Sequence, residues 1–292
     1  MKPFAFEYYQ PANLKELLGL LNQFGDSAKL IAGGQSLAPM MNMRMANFEQ
    51  LIDINQLSKL AYIEHIQDRI HLGAMTRHHE VAASEMIQQG CPLLSFAAST
   101  IGHYVIRQQG TLGGSLCHAD PAAQMPLIAL TLNASFHTQN IDRERTLTAA
   151  DFYTGAMSTS LEKNEILKSI SYPIFTKDTA WAFEMFNRRH GDYAIVSVAL
   201  CVEFDSDFVI QKIRIGLNGV SDFAHDYSIF CEPFLKLPYS AIWLEDLIDH
   251  LQSVFQPFDD EKISASYRLD LSKTLMKKAF HRAINHYSSS RT

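Results

Sequence analysis

The chain has 292 residues, 47% apolar and 19% charged, enough to bury a substantial core, and length alone suggests about two domains. Twenty-five Lys and Arg against 31 Asp and Glu give a net charge of -6, and with no basic run to track phosphates this argues against nucleic acid as a partner. The start, MKPFAFEYYQP, lacks the apolar core of a signal peptide, and no stretch reaches the roughly 20 apolar residues of a membrane span, so the expected location is the cytoplasm.

Asn13 followed by Glu16 makes a capping box, and Leu14, Leu17, Leu18, Leu21 and Phe24 recur at helical spacing up to Gly25. Lys29 to Ala32 and Leu51 to Ile54 read as strands, so the chain opens as a small α/β unit. Arg69 to Gly73 alternates like a strand. A helix is expected from Thr76 to about Met86, and a second from Cys91-Pro92 through Tyr104. A glycine-punctuated stretch, 110–123, leads into the apolar segment 126–136, and Ile166 to Tyr172 ends at Pro173 as a terminal strand does. Tyr193 to Phe204 and Val209 to Leu217 read as strands of an antiparallel sheet. Trp243, Leu247, Ile248, Leu251 and Phe255 share a helical face, Leu269 to Tyr287 forms a terminal helix, and Ser288-Ser289-Ser290 is expected to fray.

The four cysteines, Cys91, Cys117, Cys201 and Cys231, are far apart with no Cys-x-x-Cys pair, which indicates neither a disulfide framework nor a zinc or iron–sulfur site. Adjacent side chains on a helix diverge by about 100°, so His78-His79 is a poor chelate. Two glycine pairs carry more information: Ala32-Gly33-Gly34-Gln35-Ser36-Leu37 and Thr111-Leu112-Gly113-Gly114-Ser115-Leu116. Glycine permits positive φ and a close approach to a ligand, so successive N–H groups can converge on one anion, and Ser36, Thr111 and Ser115 can add hydroxyl donors. One Gly-Gly pair is an ordinary tight turn; two of nearly the same grammar suit the two phosphoryl groups of a dinucleotide. Neither matches Gly-x-Gly-x-x-Gly or ends in Gly-Lys-Ser/Thr, which disfavours a Rossmann fold and an NTPase.

These segments form an ordered set with Gly73-Ala74-Met75-Thr76-Arg77, Ile101-Gly102-His103, Ile106-Arg107, His118-Ala119-Asp120-Pro121-Ala122 and Arg188-Arg189-His190-Gly191-Asp192-Tyr193-Ala194. Over essentially its whole length the chain resembles the FAD subunits of the molybdenum hydroxylases, a family that includes carbon monoxide dehydrogenase medium subunits and the flavin domain of xanthine dehydrogenase. The resemblance implies an α+β, PCMH-type (vanillyl-alcohol-oxidase-like) FAD-binding fold in three parts: an N-terminal α/β subdomain (1–57), a central α+β subdomain (58–176) and a C-terminal antiparallel sheet with helices (177–292).

It further implies that the backbone of Ala32, Gly33, Gly34, Gln35 and Ser36 and of Thr111 to Ser115, including Gly113 and Gly114, holds the FAD diphosphate. Leu37 and Gly102 would line the cleft. Ile101 and Leu167 would pack near the flavin, Cys117 and Gln124 would also contact the cofactor, and Tyr193 would approach from the third part. Relatives often carry a carboxylate at the place of Gln124, and xanthine dehydrogenase-like members a lysine at that of Glu184, which puts an NAD-type arrangement in doubt. Molybdenum cofactor and [2Fe-2S] clusters are expected only in partner subunits, a large and a small one, in a dimer of heterotrimers. No side chain need act as a catalyst, because flavin carries the redox chemistry. A stand-alone flavin oxidase, a scaffold without FAD and a non-catalytic assembly factor are the competing readings. If a Cβ at Gly33 or Gly114 fills space meant for phosphate, valine at either abolishes FAD retention while the helices stay folded.

Overall fold

The structure is a computed structural model that describes residues 2–289. The N-terminal unit is a three-stranded parallel sheet, β1 (Glu7–Tyr9), β2 (Ala28–Ile31) and β3 (Gln50–Asp53), in the order β1-β3-β2, with α1 (Leu14–Phe24) between its first strands and α2 (Leu37–Asn42) after β2. The capping box forms as expected: Asn13 Oδ1 accepts from the Glu16 amide at 3.0 Å and Glu16 Oε2 from the Ala12 amide at 2.8 Å. This aims Leu17, Leu18 and Leu21 at Ile52 and Ile54, and each such fully buried side chain contributes roughly 1.5–3 kcal/mol.

The central unit is a five-stranded antiparallel sheet in the order β4-β5-β10-β6-β7, built from β4 (Ile63–Ile66), β5 (Arg69–Gly73), β6 (Ser135–Gln139), β7 (Glu144–Thr148) and β10 (Ile166–Pro173). Between β5 and β6 run six short helices: α3 (His78–Ala83), α4 (Glu85–Gly90), α5 (Pro92–Ser99), α6 (Tyr104–Gln109), α7 (Leu112–His118) and α8 (Gln124–Thr131). α9 (Ala149–Phe152) and the small hairpin β8 (Tyr153–Gly155) and β9 (Ser158–Thr159) separate β7 from β10. Phe136 and Phe152 stack at 4.1 Å in the centre of this core.

Two expected helices come out shorter. The one beginning near Thr76 starts at His78 and breaks at Ser84, whose extended backbone ends α3 while its hydroxyl caps α4. The one expected through Tyr104 stops at Ser99, because Gly102 takes φ +47 and the chain restarts as α6. In both cases the apolar periodicity continues across a break made by a local side-chain cap or a left-handed glycine.

The C-terminal unit is an antiparallel sheet, β11 (Thr179–Phe186), β12 (Val196–Phe204), β13 (Ile210–Asn218) and β14 (His225–Asp226), packed against α10 (Ala241–Val254) and α11 (Ala265–Ser289). Tyr193 lies outside its strands, which begin again only at Val196. Ser288 and Ser289 continue α11 instead of fraying, and Ser290 lies outside the described residues. Gly216 on β13 lets α8 pack onto this sheet, since a Cβ there would come within 2.1 Å of Thr131 Oγ1. No helix among the described residues is long and apolar enough to cross a membrane.

Glu165, in the loop before β10, is 5% exposed and ties this edge together. Burial pushes its carboxyl up, but the Arg145 guanidinium at 2.6 and 2.7 Å, the Thr138 hydroxyl and the Glu162 amide at 2.9 Å outweigh that and hold it below the usual carboxylate range. A carboxylate with a depressed folded pKa stabilises above its unfolded pKa, and that contribution is lost as pH falls through the folded value. Glu165→Gln is expected to melt at a lower temperature at pH 7 and to show a shallower decline below pH 4.5, the unperturbed value; melting curves of both proteins from pH 3 to 7 check this.

Candidate functional site

The first glycine segment leaves β2 at Ile31 and turns into α2. Gly34 adopts φ +69, and Gln35 Nε2 reaches back to the Gly33 carbonyl at 2.8 Å, so the turn holds its own shape. Among the described residues, the amides of Gly33, Gly34, Gln35 and Ser36 meet no protein acceptor. Ser36 precedes α2 without capping it through its side chain. The segment is therefore a run of unpaired donors, the arrangement an anion requires.

The second segment behaves differently from the expectation. Thr111 is the N-cap of α7, its hydroxyl oxygen accepting from the Gly114 amide at 3.1 Å, and Gly113 and Gly114 sit in the first turn of that helix without positive φ. The amides of Leu112 and Gly113 donate to Thr76 O at 2.9 Å and Ala74 O at 2.8 Å, and that of Ser115 to Thr111 O at 3.1 Å. Its backbone donors are largely consumed within the fold, leaving the Ser115 hydroxyl as its more accessible polar group. Gly113 serves close packing, because a Cβ there would come within 2.7 Å of Ala74 O.

Gly33 also has a packing role that the sequence does not reveal. Its Cβ would point into the other segment's backbone, 2.2 Å from Gln109 O and 2.8 Å from Gly110 Cα, and not into open space. A Cβ at Gly114 would lie 2.7 Å from Thr111 Oγ1 and 3.9 Å from the Ala32 side chain. The two glycine segments thus lie directly against each other, on one side of the molecule.

Between and beyond them opens a single cavity of about 1000 Å³. The residues expected to meet the cofactor all line it: Ala32, Gly33, Gly34, Gln35, Ser36 and Leu37 after β2, Ile101 and Gly102 between α5 and α6, Thr111, Gly113, Gly114, Ser115 and Cys117 in and before α7, Gln124 opening α8, Leu167 on β10, and Tyr193 before β12. Gln124 is 5% exposed and makes only long contacts, to Thr100 O at 3.5 Å and Met185 Sδ at 3.9 Å, so its amide is loosely held. Burial pushes the Cys117 thiol up to about 12, which keeps it protonated and inert. Tyr193, about half exposed, lines the cavity beside Ser36 and Asp120; partial desolvation and the Asp120 charge push its phenol up to about 12. Gly191, two residues earlier, packs on the His103 ring at φ +90 and anchors this segment to the central unit. Arg188 and Arg189 are exposed, whereas Asp192 reaches the cavity.

Sequence reasoning missed one end of the cavity. Asp26, Lys29, Glu162 and Lys163 all line it, and Lys163 pairs with Asp26 across the N-terminal and central units. These charges lie on short loops and an outward strand position with no recognisable spacing. His78, a poor chelate with His79 by its spacing, is buried in the cavity wall. Glu184 pairs with Arg282 of α11 at 2.6 Å and does not reach the cavity.

Residues 4–175 match the family described as the FAD binding domain in molybdopterin dehydrogenase, and residues 181–283 the CO dehydrogenase flavoprotein C-terminal domain. The chain is 33% identical over 284 residues to caffeine dehydrogenase subunit beta of Pseudomonas sp. (strain CBB1), covering 97% of this chain and 96% of that one. It is 35% identical over 291 residues to the 6-hydroxypseudooxynicotine dehydrogenase complex subunit alpha of Paenarthrobacter nicotinovorans, covering 97% of each. The solved carbon monoxide dehydrogenase of Hydrogenophaga pseudoflava superposes with a TM-score of 0.93 at 33% identity, over 98% of this chain and 99% of that one. The α+β architecture expected from the sequence is the one these structures share, and the chain belongs to the FAD-binding family of the molybdopterin dehydrogenases.

Proposed function

We propose that this chain carries FAD in a multi-subunit molybdenum hydroxylase and passes electrons from the [2Fe-2S] clusters of a small partner subunit to an external acceptor. The observation that carries the reading is the run of unpaired amides from Gly33 to Ser36 opening onto a cavity large enough for a dinucleotide. A Gly34 backbone in the left-handed region and the apolar bays at Leu37, Ile101 and Leu167 fit the same group. Bound FAD would supply the one- and two-electron chemistry that no side chain here offers.

The chain's own work is binding and shielding. The amides of Gly33, Gly34, Gln35 and Ser36, with the hydroxyls of Ser36 and Ser115, hold the diphosphate by dipoles alone. Ile101, Gly102, Leu167 and Cys117 wall the flavin from water, the Gln124 amide meets the polyol chain, and Tyr193 covers the mouth. Boundaries at 57/58 and 176/177 divide the three subdomains. The large subunit holds the molybdenum cofactor and oxidises the substrate, the complex is a dimer of heterotrimers, and its place is the cytoplasm.

Purification of the native complex tests this directly. The expected result is FAD released intact from this chain in equimolar amount, together with stoichiometric large and small subunits. A colourless chain in a complete complex overturns the reading; a chain that oxidises a substrate without companions favours the stand-alone oxidase, and one that never co-purifies with them the assembly factor.

A further inference from the structure

We infer that Asn55 and Arg77 are positioning residues that set the spacing of the two glycine segments and thereby the affinity for a pyrophosphate, an inference that rests on the dinucleotide reading of the cavity. The Gln35 side chain shapes the turn from within, but the amides of Gly33 to Ser36 spend no hydrogen bond on the fold and so do not tie the turn to the second segment. That spacing is set by groups outside the segment.

Asn55 follows β3, and its side chain is used at both ends. Its Nδ2 donates to Ala32 O at 2.7 Å and to Asp53 Oδ1 at 2.6 Å, while its Oδ1 accepts from Arg77 Nη2 at 2.8 Å. Arg77 Nη1 donates in turn to Gln109 O, the carbonyl against which Gly33 packs. A single guanidinium and a single amide therefore join the carbonyl that begins the first segment to the one that leads into the second. The ends of the relay are also tied. Asp53 takes the Asn55 amide at 2.9 Å and, on its other oxygen, the Tyr8 hydroxyl at 2.6 Å, and the Arg77 backbone N–H donates to Glu80 Oε2 at 2.7 Å.

None of Tyr8, Asp53, Asn55 and Arg77 lines the cavity, so an effect on a ligand has to pass through the two loops. Such support from behind preorganises donors and lowers the ordering cost of binding. Lysine cannot reproduce it, because a point charge does not span two acceptors as a planar guanidinium does.

The test compares FAD with riboflavin, which lacks the pyrophosphate, by flavin fluorescence titration of the full-length apoprotein. In Asn55→Ala the FAD Kd is expected to rise about tenfold, as loss of a charge-assisted bridge implies, with riboflavin within about twofold of wild type. Arg77→Lys, which keeps the charge, is expected to shift in the same direction. FAD affinity unchanged in both variants, or FAD and riboflavin weakened in equal proportion, overturns the positioning role. Wild-type protein that binds no FAD overturns the flavin reading itself, a result that the variants do not share.

Discussion

Gly33→Val is expected to yield a chain that both melts earlier and takes up no measurable FAD. The added Cβ would arrive 2.2 Å from Gln109 O, and backbone cannot rotate aside as a side chain does, so the two glycine segments must separate. Overpacking of this kind costs about 3 kcal/mol, and here it also breaks the alignment of the unpaired amides. Gly114→Ala provides the contrast. Its Cβ would meet only the Thr111 hydroxyl, which can turn away at the cost of a cap worth about 1 kcal/mol, and otherwise enters the gap beside Ala32. Thermal melting and FAD titration of both variants separate the effects: Gly33→Val should fail in both, Gly114→Ala chiefly in binding. A Gly33→Val protein with wild-type stability and flavin content would show that the segments do not touch as described.

The contrast bears on what the sequence could reveal. The glycine grammar picked out two segments that line one cavity, because glycine allows backbone conformations and close approaches that other residues do not. It could not say why each glycine is there. Gly34 is a conformational glycine, whereas Gly33 and Gly113 exist for backbone contacts more than 70 and 35 residues away respectively, which only the tertiary structure displays. Helix α1 was legible to its exact ends because its cap and its apolar face are both local. The α3 to α6 region was not, since its breaks depend on a serine cap and a left-handed glycine inside a continuous apolar pattern. The edge strands β1 and β7 and the hairpin β8–β9 escaped for a related reason: they are short and half exposed, and pairing defines them more than composition does. The charged end of the cavity, Asp26 with Lys163, joins residues 137 apart and leaves no trace in spacing.

His78 leads to a second large effect, in acid. It is 4% exposed, and its Nδ1 has no hydrogen-bond partner among the described residues. Burial, followed by the positive charges of Arg107 and Arg77, pulls its pKa down to about 4 from an ordinary 6.5. A histidine with a depressed folded pKa takes up its proton more readily when the chain is unfolded. Its contribution to stability is therefore intact above pH 6.5 and drains away as pH falls toward 4, by about 3 kcal/mol across that window at about 1.4 kcal/mol per unit. In urea titrations at pH 4 to 8, His78→Leu is expected to lose most of this decline, while the slope contributed by His71, His118 and His137, whose pKa values are also lowered, remains. At neutral pH the variant should differ little, because leucine removes the unpaired nitrogen along with the charge. The same limb is expected in flavin release, because the His78 amide donates to Gly110 O at 3.0 Å and its ring packs against Gly110 next to the second glycine segment, where a buried charge would disfavour this packing. Parallel stability curves for wild type and variant between pH 6.5 and 4 would mean that His78 is not the group that acid titrates.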